Sequence, residues 1–468
     1  MNPSDSHGKT CKHWAVVGGG FLGMTAALRL AQAGHEVTLI ESADHLGGLA
    51  DAWELGDTTW DRHYHVTLLS DSNTRGILKE LDLDQKMEWV ETKTGFFTGG
   101  SLHSMSSSLE FLRFPPLNLI AKFRLGLTIF AASRMKNWRR LEQIPVTDFL
   151  RKWSGTQTFE KIWLPLLRSK LGENYKITSA AFIWATIQRL YAARRTGLKK
   201  EMFGYLPGGY ARTIDKFTEK LNELNINVQL SQRVGNISRV GNETLVSDAA
   251  GQRIGSFDNV LLTVPSRIVP RLVKDLSADE IKSHESIQYQ GIVCCSLLLK
   301  NPLSSYYVTN ITDGNVPFTG VIEMTALVDR AEFGGSNLVY LPYYVPENDP
   351  LFEVSDEEIR EQSLAGIESM YPQFQREDVL AFRSSRAKQV MPIPTLNYSQ
   401  QVPGHKTSVP GLFVVNSAQI VNGTLNVNET IGLAETAIRE ILQAPQPDEP
   451  TLEIPLSLIH ISEPTRPY

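Results

Sequence analysis

The chain has 468 residues, a formal net charge of -5, and 42% hydrophobic and 21% charged side chains. That length builds two or three domains with a substantial core, and the composition is ordinary for a globular protein. The negative balance argues against a general nucleic-acid binder. Three cysteines (Cys11, Cys294, Cys295) form neither a disulfide framework nor a zinc spacing, so no metal site is expected and a reducing, cytoplasmic setting is.

"MNPSDSHGKTCK" lacks the apolar core of a signal peptide, and no run approaches the ~20 apolar residues of a spanning helix. The first predicted element is "HWAVV" (His13 to Val17), an apolar run of the kind that forms a buried parallel strand. Gly18, Gly20 and Gly23 follow in G-x-G-x-x-G spacing. In that order they permit a tight turn, let backbone approach a pyrophosphate, and let helix pack on strand. "LGMTAALRLAQAG" continues as a helix from Leu22, with Leu22, Ala26, Leu30 and Ala33 on one face and Gly34 as its stop; Phe21 and Leu22, beside the glycines, are candidate cofactor contacts. Its N-terminus offers N–H groups and a positive dipole end to phosphates. "EVTLIE" is the second strand, and Glu41, 18 positions past Gly23, can accept from a ribose hydroxyl while disfavouring a 2′-phosphate. This complete strand–turn–helix–strand–acid unit predicts a dinucleotide site.

Next comes the Gly47-Gly48 pair, which either lets the chain pass close to a cofactor or is an ordinary loop. "WDRHYHVTLLSD" follows, with Arg62, His63 and His65. Its histidines either bridge backbone carbonyls in the core or work beside a cofactor. "FPPLNLIAKFRLGLTIFAAS" is apolar but interrupted by Lys122 and Arg124. It reads foremost as a buried helix of a substrate domain, with a membrane-surface helix or a channel cap as alternatives. Residues 161–200 carry nine Lys/Arg against one acid, Glu173. There "RLYAARRTGLKK" is either a grip for phosphate or a solvated helix face. After the Gly208-Gly209 turn come an amphipathic helix and a run of strands ending in "NVLLTVP", whose Thr263 is a candidate cofactor contact. "LFVVN", "GTLN" and a final helix from Val427 with Asn428 and Glu429 in its first turn complete the predicted elements. That helix start is a second place where N–H groups can meet an electron-rich ring carbonyl.

With these pieces in this order the chain resembles the flavin-containing amine oxidase superfamily, which includes protoporphyrinogen oxidases and phytoene desaturases. The resemblance runs from about Trp14 to Leu442. It implies an α/β fold, with a Rossmann-type FAD-binding domain of the glutathione-reductase kind interleaved with a mixed α+β substrate domain. It also implies that Gly18, Gly20, Gly23 and Glu41 hold the ADP half of FAD, that Val234 lays its backbone on the adenine, and that the Asn416 turn and Val427–Asn428 close over the flavin. "WDRHYHV" is similar to a segment of UDP-galactopyranose mutase, a flavoenzyme that isomerises a sugar; His65 is the better match to that motif's histidine, with His63 beside it. "RAKQVMPIPTLNY" resembles the segment before the cofactor-closing turn, which would bring Tyr398 towards the ring.

Three departures bear on what carries over. Leu49 stands where an arginine commonly follows the Gly-Gly pair, Asn416-Ser417 replaces a Gly-Asp, and no lysine is recognisable in "YQGIVCCSLLLK", where Tyr289 is the nearest polar ring. Amine substrates are therefore doubtful, and with no cysteine near the closing turn the FAD is expected to be non-covalent. The expected division is FAD-binding 12–108, 203–290 and 402–443, and substrate-binding 109–202 and 291–401. Residues 444–468 are expected to be a linker and an artefactual tail, because "LSLIHISEPTR" resembles a translated sequencing adapter. The leading expectation is an FAD-dependent oxidoreductase acting on an apolar or phosphate-bearing small molecule, with peripheral membrane contact open. A redox-neutral mutase acting on a nucleotide sugar and a non-catalytic flavoprotein are the alternatives.

Overall fold

The computed structural model describes residues 11–194 and 202–443. Its centre is a five-stranded parallel sheet. The order runs Asn227–Gln229, β2 (Glu36–Ile40), β1 (His13–Val17), Asn259–Leu262 and Leu412–Val414. Three stretches of chain far apart in sequence therefore supply adjacent strands. Successive β1 side chains point to opposite faces. Trp14 and Val16 enter a core with α1 (Phe21–Gln32) and the helix Val427–Gln443, while Ala15 and Val17 enter another with Ile237, Val246 and Phe257. Cover on both faces is why these strands are apolar throughout rather than alternating.

α1 starts at Gly20 and stops where Gly34 takes φ +88°. Its Leu22, Met24, Leu28 and Leu30 are buried, each contributing about 1.5–3 kcal/mol on the scale of full side-chain burial. α2 (Ser72–Glu80) packs beside the helix Val427–Gln443.

A seven-stranded sheet forms the second layer, ordered Val379–Pro392, Tyr289–Leu299, Asn337–Pro346, Gly320–Glu323, Val308–Ile311, Thr94–Thr98 and Ser101–Ser104. Residues 94–104, which fall inside the first expected FAD-binding stretch, thus stand in one sheet with strands of 291–401. Thr94–Thr98 pairs in parallel with Val308–Ile311, a partner more than two hundred positions away that local pattern cannot reveal.

Helices of residues 108–194 gather around Phe114, Leu125, Phe149, Phe159 and Trp163. Among them are α3 (Ser108–Arg113) and α4 (Leu119–Arg134). Here the expectation of a buried helix is corrected. α4 buries Ala121, Lys122, Leu125, Thr128, Ala132 and Ser133, and leaves Leu119, Ile120, Phe123, Leu127 and Phe130 exposed. Its small and polar side faces the helix Val146–Thr158, where the Arg124 guanidinium lies against Gly155. Among the described residues no helix is long and apolar enough to cross a membrane. Most of "RLYAARRTGLKK" and all of 444–468 fall outside the described residues or side chains.

Candidate cofactor and active site

The turn after β1 is a backbone cradle. Gly18 holds φ +114°, and a Cβ there would lie 2.4 Å from Thr263 Oγ1; a Cβ on Gly23 would lie 1.8 Å from the Gly18 carbonyl oxygen. Glycine is required at both positions, the first for the turn and the third for helix-on-strand contact. The Thr263 hydroxyl donates to the carbonyls of Val17 (2.9 Å) and Gly18 (3.2 Å), so its side chain braces the turn rather than reaching outward.

The Gly47-Gly48 loop crosses directly over this turn. Gly47 N–H donates to Gly19 O at 2.9 Å, and a Cβ on Gly48 would come within 3.1 Å of Gly20 Cα. Gly47 (φ +123°) and Gly48 (φ +61°) use backbone conformations that other residues adopt at a cost. No side chain caps the N-terminus of α1, where Phe21 and Leu22 begin the helix. At the end of β2 the Glu41 carboxylate accepts from Gly19 N–H (2.6 Å), Ala43 N–H (2.8 Å) and Ser42 Oγ (3.0 Å). A carboxylate has about four acceptor positions, so one remains for a ribose hydroxyl. Val234 is led to the same end of the sheet, because Ser231 N–H donates to Ala43 O and Gln232 N–H to Glu41 O. Two glycine chains, an uncapped helix start and an acid at the neighbouring strand end therefore converge. That donor set fits a pyrophosphate and its ribose.

The histidine segment runs on from the Gly-Gly loop. Arg62 pairs with Asp51, which also meets His45. The His63 ring bridges Leu49 O (3.1 Å, Nδ1) and Ser385 Oγ (2.9 Å, Nε2). Tyr64 and Tyr344 join their hydroxyls at 2.7 Å. His65 points the other way, its Nδ1 buried, without a hydrogen-bond partner, and 3.8 Å from Asp61 Oδ2. Its ring stands 5.0 Å from that of Tyr210, whose N–H donates to Asp61 Oδ1 at 2.7 Å. Asp61, His65 and Tyr210 line one small cavity with Trp60, Thr67 and Met324.

Burial dominates the electrostatics here. It pushes the Asp61 carboxyl up to about 8, against the hydrogen bond from Tyr210. It lowers His63 to about 4 and His65 to about 3, with His63 adding to the second. Desolvation disfavours the charged ring, so the His65 imidazole is neutral at its ordinary titration point. Asp61 is the residue that sequence reading passed over, although it stands four positions before His65 in "WDRHYH".

A family model described as "Flavin containing amine oxidoreductase" matches residues 23–426. The chain belongs to this family. It is 27% identical over 232 residues to the zeta-carotene desaturase of Synechocystis sp., covering 44% of this chain and 47% of that one. It spans less than half the length of the curated relatives that it matches first. In structure it is similar to a candidate protoporphyrinogen oxidase from Exiguobacterium sp. 255-15, with TM-score 0.72, 18% identity and 93% and 99% of the two chains covered. It is also similar to reduced UDP-galactopyranose mutase, with TM-score 0.70, 14% identity and 93% and 94% covered. These likenesses show the mixed α/β fold alone.

In this family member the turn at Asn416 is tied into the fold. The buried Asn416 amide turns inward, accepting from Ala418 N–H (3.0 Å) and lying 3.3 Å from Ser266 Oγ, because it caps the turn Ser417–Gln419. Tyr398 is buried and donates to Ala418 O at 2.9 Å, and Tyr289 OH accepts from Ser266 N–H; both are tied into the core. The Tyr398 hydroxyl is thereby committed to the fold. Asn428 Oδ1 accepts from Asn73 N–H (2.9 Å) and Thr74 N–H (3.2 Å), so its side chain serves α2, while Val427 packs on the central core. Arg189 meets Asp71 at 3.1 Å, an ion pair between the helical layer and this corner. Leu49 is 40% exposed where the family's arginine would stand. Among the described residues no group of three or more His, Cys, Asp or Glu is arranged to hold a metal.

Proposed function

We propose that this chain is an FAD-dependent oxidoreductase that removes hydride from a C–H of an apolar small molecule and holds its flavin non-covalently. The crossing of Gly47-Gly48 over Gly20 at the uncapped start of α1 carries this reading. On it, the parallel sheet is a Rossmann-type FAD-binding domain. Gly18, Gly20 and the first turn at Phe21 and Leu22 receive the pyrophosphate, and Glu41 accepts from the adenosine ribose. Cys294 and Cys295 are buried in the strand Tyr289–Leu299, away from the closing turn, which supports a non-covalent flavin. Bound flavin supplies a two-electron acceptor that oxygen or another oxidant later restores.

The protein's own share is position and exclusion of water. Neutral His65 keeps protonic charge out of the small cavity at neutral pH, and His63 is neutral on the opposite side of the segment. Tyr64, Tyr344 and Tyr340 pack that side with their hydroxyls engaged, Tyr340 donating to Asp61 O at 2.5 Å. An apolar substrate suits such walls, and the relative from Synechocystis is by name a carotene desaturase. The redox-neutral mutase reading is not carried forward. Its likeness is one of fold, and the described cations of residues 161–189 are engaged within the fold: Arg189 with Asp71, Arg168 and Lys176 with Glu173, Lys161 with Pro116 O, and Lys170 over the Tyr344 ring.

Anaerobic titration of the purified protein tests the proposal. Acid release should yield FAD, and a polyene or porphyrinogen should bleach the oxidised flavin band where a nucleotide sugar does not. Failure to take up FAD on reconstitution, or turnover of the sugar without bleaching, would overturn it.

A further inference from the structure

α4 is built inside out. At 100° per residue, Leu119, Ile120, Phe123, Leu127 and Phe130 fall within about 100° of arc, and all five are exposed, the first three by 72–73%. The opposite arc carries Leu125, Thr128 and Ala132, which are buried. α3 adds Leu109 (57% exposed) and Leu112 (54%). Seven of the thirteen exposed large hydrophobic residues in the described chain thus lie within 22 positions. At about 150–200 Å² per large side chain, they expose on the order of 700 Å², beyond the few hundred Å² usual for a monomer.

The rim around this face is predominantly basic; its one acid in α3, Glu110, spends its carboxylate on Ser104, Ser106 and Ser107. Residues 111–141 contain seven Lys/Arg and no Asp or Glu, in a chain whose net charge is -5. Lys122 and Arg124 are turned into the fold, donating to Leu112 O (2.7 Å) and Lys152 O (2.9 Å). Arg113, Arg134, Lys136, Arg139 and Arg140 remain exposed at the two ends, Arg134 lying over the Phe130 ring at 5.0 Å. An apolar ridge flanked by cations matches the boundary between acyl chains and anionic headgroups. It does not match a second copy of the same face, since a two-fold contact would set the same cations against each other.

We propose that the α3–α4 face docks this protein on an anionic phospholipid surface, with Ile120 and Phe123 entering the acyl region and Arg139 and Arg140 meeting the headgroups. The proposal is independent of the flavin reading, because binding is measured without substrate or turnover. Flotation of the purified full chain with phosphatidylcholine vesicles, with and without phosphatidylglycerol, tests it. Wild type should bind the phosphatidylglycerol vesicles roughly tenfold more tightly, with high salt weakening the preference. Arg139→Gln/Arg140→Gln should lose that preference, and Ile120→Ser/Phe123→Ser should lose binding to both, with unchanged melting. Independently of folding in the variants, brominated acyl chains should quench Trp138 in the wild type, read against Trp138→Phe. No flotation with either vesicle, binding indifferent to the Ile120 and Phe123 changes, no quenching of Trp138, or a dimer that Ile120→Ser/Phe123→Ser dissociates would each overturn the proposal.

Discussion

Replacing Asp61 with Asn separates a proton held by burial from a carboxylate held by a partner. The asparagine keeps an oxygen to accept from Tyr210 N–H and nearly the same volume, and removes only the titration. With burial holding Asp61 at about 8 against the ordinary 3.8, the folded protein binds a proton that the unfolded chain has released between those values. Stability from this group is therefore complete below 3.8 and is lost as pH rises towards about 8. His65, lowered to about 3, runs the other way: its contribution is complete above 6.5 and is lost as pH falls. Between pH 6.5 and 8 the Asp61 slope is thus unopposed by His65. At about 1.4 kcal/mol per pH unit, the wild type should lose about 2 kcal/mol relative to Asp61→Asn over that window. Urea unfolding of both proteins at a series of pH values reads this directly, with the other titrating groups cancelling in the difference. Parallel stability curves would mean that Asp61 is ionised in the folded state and that the argument from burial is wrong.

Gly20→Val should fold yet bind less than a tenth of the wild-type flavin by absorbance ratio, since a β-branched side chain blocks the pyrophosphate approach; full flavin content would place the cofactor elsewhere. His63→Ala should cost about 1 kcal/mol by removing the hydrogen bonds to the Leu49 carbonyl and the Ser385 hydroxyl, measured by chemical denaturation. His65→Ala should keep flavin and slow its reduction by substrate, and neither it nor the wild type should break near pH 6.5 in kcat/KM; a break present only in the wild type would show that the ring titrates. Removing residues 456–468 should leave melting temperature and flavin content unchanged, whereas a drop of several degrees would reveal a docked tail.

Chemistry that depends on neighbours a few positions apart was written in the sequence. The turn at Gly18–Gly20, the helix closed at Gly34 and the acid at Glu41 follow from backbone sterics and short-range periodicity, and the structure forms all three, with Glu41 bonded to the turn at the start of that helix. Long-range partners were not legible there. Ser385 lies 322 positions from His63, and Thr94–Thr98 finds its partner strand in residues 308–311. Tyr398, Asn416 and Asn428 stood at the expected positions in the chain but spend their polar atoms on the fold, because a buried donor or acceptor takes the nearest partner available. Burial decided the protonation of Asp61 and His65, and burial is a property of the assembled neighbourhood rather than of the residue. α4 is the plainest case. Its period gives the arc on which Leu119, Ile120 and Phe123 lie, but an apolar arc is the same whether it faces a core or a bilayer; only the packing of Ala121, Leu125 and Ala132 against the neighbouring helices turned it outward.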